Sequence, residues 1–331
     1  MVAAQLKRHR PGIVAAIIEP SDYHWYQPAW TLVGAGTYDF AKTRRTESAL
    51  IPPGVDWIHD RATAIHAASN KVSTARLGDY TYDYLVVAPG LVMNTEAMPG
   101  LEEALQTDQV ASNYLDPVKT WKMLQNFKGG NAVFTQPATP IKCGGAPQKI
   151  MYLADDYFRK TGVRKSTQVV YATPGTVIFG TREFADTLMK VIRRKEVVLK
   201  LFYSPVKIDA VNRDIYFRYK GPAAWQAMDI IRETMNDDGL VKIPYDMLHL
   251  APPQQAPAFI RHSSLAAQEG PNKGWIEVDH CNLQHPTYAN VFALGDVAAL
   301  PTAKTGAAIR KQAPVVVDHL LAAIDKSQPP K

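Results

Sequence analysis

Two short apolar runs at opposite ends of the chain each deliver an acid to a turn, and they constrain the fold more than anything between them. Gly12–Glu19 is an apolar stretch closed by Glu19 and Pro20, the pattern of a buried parallel strand. Asn290–Leu294 is another, and it hands Gly295-Asp296 to the head of a helical stretch over Gly306–Ile324 that carries Pro314 as an expected kink. In dinucleotide folds a strand-terminal acid binds the adenosine ribose hydroxyls. A strand-end glycine lets the backbone approach a ligand, and an adjoining aspartate can bond a ribityl hydroxyl while the helix N-terminus faces an anion. Each run has a plainer reading, since exposed acids end many strands and an aspartate often caps a helix. Taken together they predict a flavin-binding α/β domain assembled from both ends of the chain.

Length and composition leave room for this. At 331 residues the chain amounts to about two domains. Its 46% hydrophobic and 21% charged content excludes intrinsic disorder. No apolar run approaches the ~20 residues needed to span a bilayer. Two cysteines, Cys143 and Cys281, exclude a disulfide-dense scaffold and a four-cysteine zinc site. The net charge of +6 comes from 37 basic and 31 acidic residues that are interspersed. That balance allows an anionic membrane surface or an anionic cofactor and does not demand nucleic acid. Met1–Gly12, basic and without an acid, reads as a helix tail closed by Gly12 rather than a targeting segment.

Between the ends, short strands are expected at Val55–Ile58, Ala62–Ile65, Lys71–Thr74 and Tyr80–Pro89. A second rhythm follows: helix Asp116–Phe127, strand Asn131–Thr135, a helix with Ile150, Leu153, Ala154, Tyr157 and Phe158 on one face, strand Gln168–Ala172 and helix Arg182–Arg194. Strands Val197–Phe202, Pro205–Val211 and Asp214–Tyr219 close it, and Met247–Ala251 and Gly274–Val278 come later. This predicts an inserted nucleotide-binding-like domain. The expected division is 1–110 and 244–331 for the outer domain, with 111–243 inserted between them.

Two details point to chemistry. Cys143 lies in Pro140–Lys149 just before a helix and between Lys142 and Lys149. A helix N-terminus and ammonium groups favour the thiolate, so this thiol is expected to be redox-active, against a base rate of buried, inert cysteines. Cys281, beside His280 and His285, offers too few ligands for a metal and reads as incidental. The second detail is a missing one. No Gly-x-Gly-x-x-Gly occurs, Gly34-Ala35-Gly36 being followed by Asp39 where the third glycine belongs. The crossing Val170–Gly180 also lacks the spacing that seats a pyrophosphate, so a pyridine nucleotide would be poorly held there.

Longer blocks carry a family resemblance. They are Glu19-Pro20-Ser21, Tyr26-Gln27-Pro28-Ala29-Trp30, Ser112-Asn113-Tyr114, Pro140–Leu153, Tyr157–Gly162, Met247-Leu248-His249, Asn290-Val291-Phe292 with Gly295-Asp296, and Leu300–Thr305. In these the chain resembles the sulfide:quinone oxidoreductases, in the branch that includes the mitochondrial enzymes. The resemblance implies two Rossmann-like dinucleotide-binding domains of the FAD-dependent disulfide-oxidoreductase type, the first of them incomplete. Glu19 would hold the FAD ribose, Gln27 and the backbone of Ala62 would add contacts, and Gly295 and Asp296 would meet the ribityl chain. Lys304 and Thr305 would lie near the flavin N1/O2 edge, and Cys143 would carry the persulfide. Hydrogen sulfide would be oxidised, electrons would pass through FAD to quinone, and the sulfane sulfur would go to glutathione, sulfite or sulfide. The setting implied is peripheral, on a mitochondrial inner membrane or a bacterial cytoplasmic membrane.

Departures from the family pattern set further expectations. The glycine-rich FAD loop would lie upstream of Met1. The second redox cysteine and the membrane-docking helices would lie beyond a linker at Gln328–Lys331. The length then reads as a family core cut at both ends, with Pro314 interrupting its closing helix. The alternatives are a type II NADH:quinone oxidoreductase-like flavoprotein and a non-catalytic truncated homologue.

Overall fold

The computed structural model describes residues 1–328. The last residues of the expected linker, 329–331, lie outside the described residues. The chain packs as two compact units. One comprises Met1–Trp25, Arg44–Val92 and Gln255–Lys331, and the other Tyr26–Thr43 and Met93–Gln254. Segment 26–43 thus groups with the middle of the chain, and the partition runs at 92/93 and 254/255 rather than at 110/111 and 243/244.

The second unit is organised by a parallel sheet of five strands in the order Val110–Ala111, Met247–His249, Gly130–Thr135, Thr167–Ala172, Val198–Lys200. Strand alternation sorts its side chains into two cores. Ala132, Phe134, Val169 and Tyr171 pack with Ile150, Met151, Ala154 and Phe158 of the helix Ala146–Thr161. Val133, Val170 and Leu248 face the other way, in one core with Tyr203, Ile215, Phe217 and Val241 of a four-stranded antiparallel sheet. The result is three layers: helices, parallel sheet and antiparallel sheet. The glycines of Gly34-Ala35-Gly36 serve packing here. Gly36 has φ +70°, and a Cβ there would overlap the indole of Trp121.

The first unit joins sequence-distant pieces. Strand Val291–Ala293 pairs in parallel with Leu85–Val87, and the helix Val2–His9 packs on the closing helix Gly306–Asp325, with Arg10 and Asp325 ion-paired at 2.5 Å. Ala62–His66, Lys71–Thr74 and Asp79–Thr81 form an antiparallel meander. Its core runs through Ile65, Val72, Phe292, Val316, Val317 and Leu320.

Several elements differ from the sequence reading, and the strand expected at Tyr80–Pro89 divides into Asp79–Thr81 and Leu85–Val87, which belong to different sheets. The run Gly12–Glu19 forms a strand only at Ala16–Ile18, which pairs on one edge with Asp56–Ile58, and Val14 is 93% exposed. A parallel strand is buried only where neighbours and covering helices flank it, and the described residues give this one a single neighbour. Its preceding helix ends at His9, before Gly12. Gly274–Val278 forms no strand; Ile276 is buried but makes only isolated bridges to Ala266 and Ala298. The closing helix is not interrupted and runs through Pro314 from Gly306 to Asp325. Pro314 is exposed while Ala313, Val316 and Val317 are buried, so the unmade hydrogen bond falls on the solvent side.

Candidate active site

The sequence-selected residues fall into two groups, one in each unit. In the first unit, strand Val291–Ala293 ends in Leu294 and passes into a single 3-10 turn, Gly295–Val297. Gly295 has φ +76°, and a Cβ there would come 3.2 Å from Ile309 Cδ1. Its amide donates to Gln312 Oε1 at 2.9 Å, fixing the turn to the closing helix. Thr305 caps that helix by accepting from the Ala308 amide at 3.2 Å. Lys304 Nζ donates to the Asp296 and Ala298 carbonyls at 2.6 and 3.1 Å and lies 4.0 Å from the centre of the Trp275 ring. Burial pushes the Lys304 ammonium down to about 8, with the Asp296 charge pulling the other way. Gly295, Lys304, Thr305 and Gln312 line a narrow hollow, too tight as packed for a water molecule.

Glu19 and Ala62 lie elsewhere in the same unit, Glu19 just past a strand and Ala62 at the start of one. Glu19 follows Ala16–Ile18; its Oε1 accepts from the Ser21 amide at 2.8 Å, and its carbonyl accepts from Trp57 Nε1 at 2.9 Å. Ala62 opens the strand Ala62–His66 at a register shift. The donor set suits FAD. A cationic lysine and a helix N-terminus meet in one hollow, a glycine in the left-handed region sits at its edge, and a carboxylate stands at a strand end.

The second group surrounds Cys143. The central strand Gly130–Thr135 ends, and the chain loops before re-entering a helix at Ala146 with Pro147 in its first turn. Cys143 is half-buried and has φ +57°, a left-handed conformation unusual for a residue with a side chain. Its Sγ accepts from Lys149 Nζ at 3.7 Å, and its carbonyl accepts from the Ala146 amide at 2.8 Å. Gln27, selected as a flavin contact, lies in this unit, and its side-chain oxygen is bonded by the Lys142 ammonium. The Lys142 amide donates to Oε1 of buried Gln254 at 2.7 Å. Cys281 lies exposed in the other unit, its amide bonded to the Asp279 carboxylate at 2.8 Å.

Sequence reading did not single out Tyr114, His249 or Gln254 as site residues. Tyr114 follows strand Val110–Ala111, and His249 and Gln254 end and follow strand Met247–His249. Both strands and the one preceding Cys143 lie side by side and parallel, so their carboxyl ends converge. That is where open α/β sheets bind ligands. The signal was present in the blocks Ser112–Tyr114 and Met247–His249, but nothing in a one-dimensional sequence says that these blocks meet. The crossing Val170–Gly180 packs against the helix Ala146–Thr161. Buried Gln148 donates to the Ile178 carbonyl at 2.5 Å, and the Ile178 side chain enters the core.

No protein-family model matches the chain. It is 39% identical to the mitochondrial sulfide:quinone oxidoreductase of Mus musculus over 331 residues, which cover 99% of this chain and 69% of that protein. The mitochondrial sulfide:quinone oxidoreductase of Dictyostelium discoideum is 37% identical over 326 residues, 97% of this chain and 67% of that one. Among solved structures, the sulfide:quinone oxidoreductase of the hyperthermophilic bacterium Aquifex aeolicus superposes with a TM-score of 0.79 at 20% identity, covering 98% of this chain and 74% of that chain. The fold is therefore that of these α/β oxidoreductases. With identity of this level running along nearly its whole length, the chain belongs to the sulfide:quinone oxidoreductase family.

Proposed function

We propose that the chain oxidises hydrogen sulfide to sulfane sulfur and delivers the electrons to quinone, with Cys143 as the sulfur-carrying residue and FAD as cofactor. The observation that supports this best is the Cys143 loop. It sits at the carboxyl end of a parallel sheet, where such folds react and bind, with an ammonium 3.7 Å from its sulfur. In net terms, hydrogen sulfide and the Cys143 thiol become a persulfide, releasing two electrons and two protons, and one quinone takes these up to become a quinol. FAD, when bound, supplies the two-electron relay between sulfur and quinone.

Within this reading Glu19 accepts from the ribose hydroxyls, and Gln27 and the backbone of Ala62 add contacts. Gly295 and Asp296 meet the ribityl chain. Lys304 and Thr305 bring positive charge and a helix N-terminus to the edge of the flavin that becomes anionic on reduction. The first unit is the FAD-binding domain and the second the Rossmann-like domain that carries Cys143. The persulfide sulfur leaves to a nucleophile such as glutathione, sulfite or sulfide. The names of the mouse and Dictyostelium relatives favour a mitochondrial setting, and we place the enzyme peripherally on the inner membrane. Among the described residues no helix is long and apolar enough to cross a membrane.

The test is to purify the chain with added FAD, record the flavin spectrum and assay sulfide-dependent reduction of a short-chain quinone. Cys143→Ser is expected to abolish bleaching by sulfide while flavin stays bound. Bleaching that persists in this variant overturns the role of Cys143.

A further inference from the structure

Cys143 is held from behind. The Tyr114 hydroxyl donates to the Lys142 carbonyl at 3.0 Å and to the Cys143 carbonyl at 3.3 Å, a shared hydrogen bond across the peptide planes on both sides of the Cys143 Cα. A residue with a side chain keeps a left-handed backbone only where its surroundings over-determine it. Here the Gln254 side chain fixes the Lys142 amide, the Ala146 amide fixes the Cys143 carbonyl, and Tyr114 bridges the two carbonyls. Tyr114 is itself anchored through its neighbours. Its amide donates to Ser112 Oγ at 3.3 Å, and the Asn113 amide donates to Nε2 of fully buried His249 at 3.1 Å. Burial pushes the Tyr114 hydroxyl well above its ordinary range, so it stays a donor across neutral pH.

We infer that Tyr114 is a positioning residue for the Cys143 thiol: its hydroxyl locks the left-handed Cys143 backbone and thereby holds Sγ within reach of Lys149. The inference rests on the redox reading of Cys143 and adds a residue that acts through the Cys143 backbone. The benzene ring of Tyr114 fills space, whereas only its oxygen makes the bridge. Removing the oxygen alone therefore separates positioning from packing.

The experiment uses the FAD-loaded chain in a Cys281→Ser background, so that Cys143 is the single thiol. Tyr114→Phe is compared with its parent and with Cys143→Ser. Four quantities are read: the rate of Cys143 alkylation by iodoacetamide at fixed pH, the kcat and the KM for sulfide, and the melting temperature. Misplacement of a reacting group by about 1 Å costs up to 100-fold in rate. Tyr114→Phe is accordingly expected to slow alkylation about tenfold and lower kcat by a similar factor, with KM and melting temperature nearly unchanged. Unaltered alkylation and kcat in Tyr114→Phe, with Cys143→Ser inactive, overturns the positioning role and leaves the redox role of Cys143 standing. Activity retained by Cys143→Ser removes the redox reading itself. A fall in melting temperature with alkylation unaltered assigns Tyr114 to stability alone and also overturns the inference.

Discussion

The backbone amide of Asn113 donates to Nε2 of His249 at 3.1 Å, tying together two segments 136 positions apart. The imidazole is fully buried, and burial pushes its pKa down to about 3. The same Nε2 also lies within hydrogen-bond reach of Asn113 Oδ1, and burial, which penalises the charged imidazolium, is what keeps the folded ring neutral.

This sets an acid sensitivity. The unfolded chain protonates this histidine near 6.5 while the folded chain holds it neutral to about 3. Between these values the unfolded state binds more protons, so stability is full above pH 6.5 and falls as pH drops towards 3. The loss assignable to this residue is on the order of 5 kcal/mol at most. His249→Gln is expected to flatten the dependence of urea-unfolding midpoints on pH in that window, at some cost in stability at pH 7. An unchanged slope would assign the acid sensitivity to other groups.

Lys304 predicts a feature at the opposite end of the pH scale. Its ammonium loses its proton near 8, so the charge at the hollow is present below that value and fades above it. Sulfide-dependent quinone reduction is expected to decline as pH rises through about 8. Lys304→Arg, charged throughout, should keep its rate across that range, and Lys304→Met should be slow with no inflection there. For stability the sign is opposite: from about 8 to 10.5 the unfolded chain holds more of this proton, so the Lys304 contribution makes folding more favourable with rising pH.

Asp155 holds the second unit together. Its carboxylate is fully buried and paired with Lys195 at 2.6 Å, Arg164 at 2.8 Å and Arg159 at 2.9 Å. Burial alone would raise this carboxyl, but the bonds from the three cations outweigh it and hold it below its ordinary range. Asp155→Ala leaves Arg164 and Lys195, both largely buried, without their counter-charge and should destabilise by about 3 kcal/mol. Chemical denaturation checks this, and a loss below 1 kcal/mol would contradict it.

Gly295 couples backbone freedom to the proposed cofactor. Gly295→Val places a branched side chain at φ +76° and 3.2 Å from the Ile309 methyl, costing about 1–3 kcal/mol in strain. Flavin affinity is expected to fall at least tenfold, followed by quenching of flavin fluorescence on titration. Equal affinity would move the ribityl site away from this turn.

Much of the architecture was legible because it follows period and punctuation. The helix Ala146–Thr161 was readable from its apolar face and from Gly162, and Asp214–Tyr219 was recovered with its limits as drawn. Cys143 was legible as a loop thiol beside lysines and a helix start. Other features depend on neighbours that a sequence does not display. Ala16–Ile18 is apolar enough for a buried strand, but burial is decided by what lies on its two edges. Pro314 reads as a helix breaker until it is known to face solvent. No glycine or asparagine marks the left-handed backbone at Cys143 in the sequence. It is imposed by Tyr114 and Gln254, which come from far away in the chain.

That origin has a kinetic consequence. The loop around Cys143 is fastened by bonds spanning 28 and 29 positions to Tyr114, 112 to Gln254 and 115 to Gln27. Closing such long spans costs chain entropy before any contact repays it, and structures built from distant pairings assemble slowly. A thiol whose position depends on these long-range ties as well as on the local bonds to Ala146 and Lys149 acquires its native reactivity late, after the parallel strands have found their register. During refolding, the labelling rate of Cys143 then serves as a clock for completion of the whole second unit, distinct from the earlier signal of helix formation.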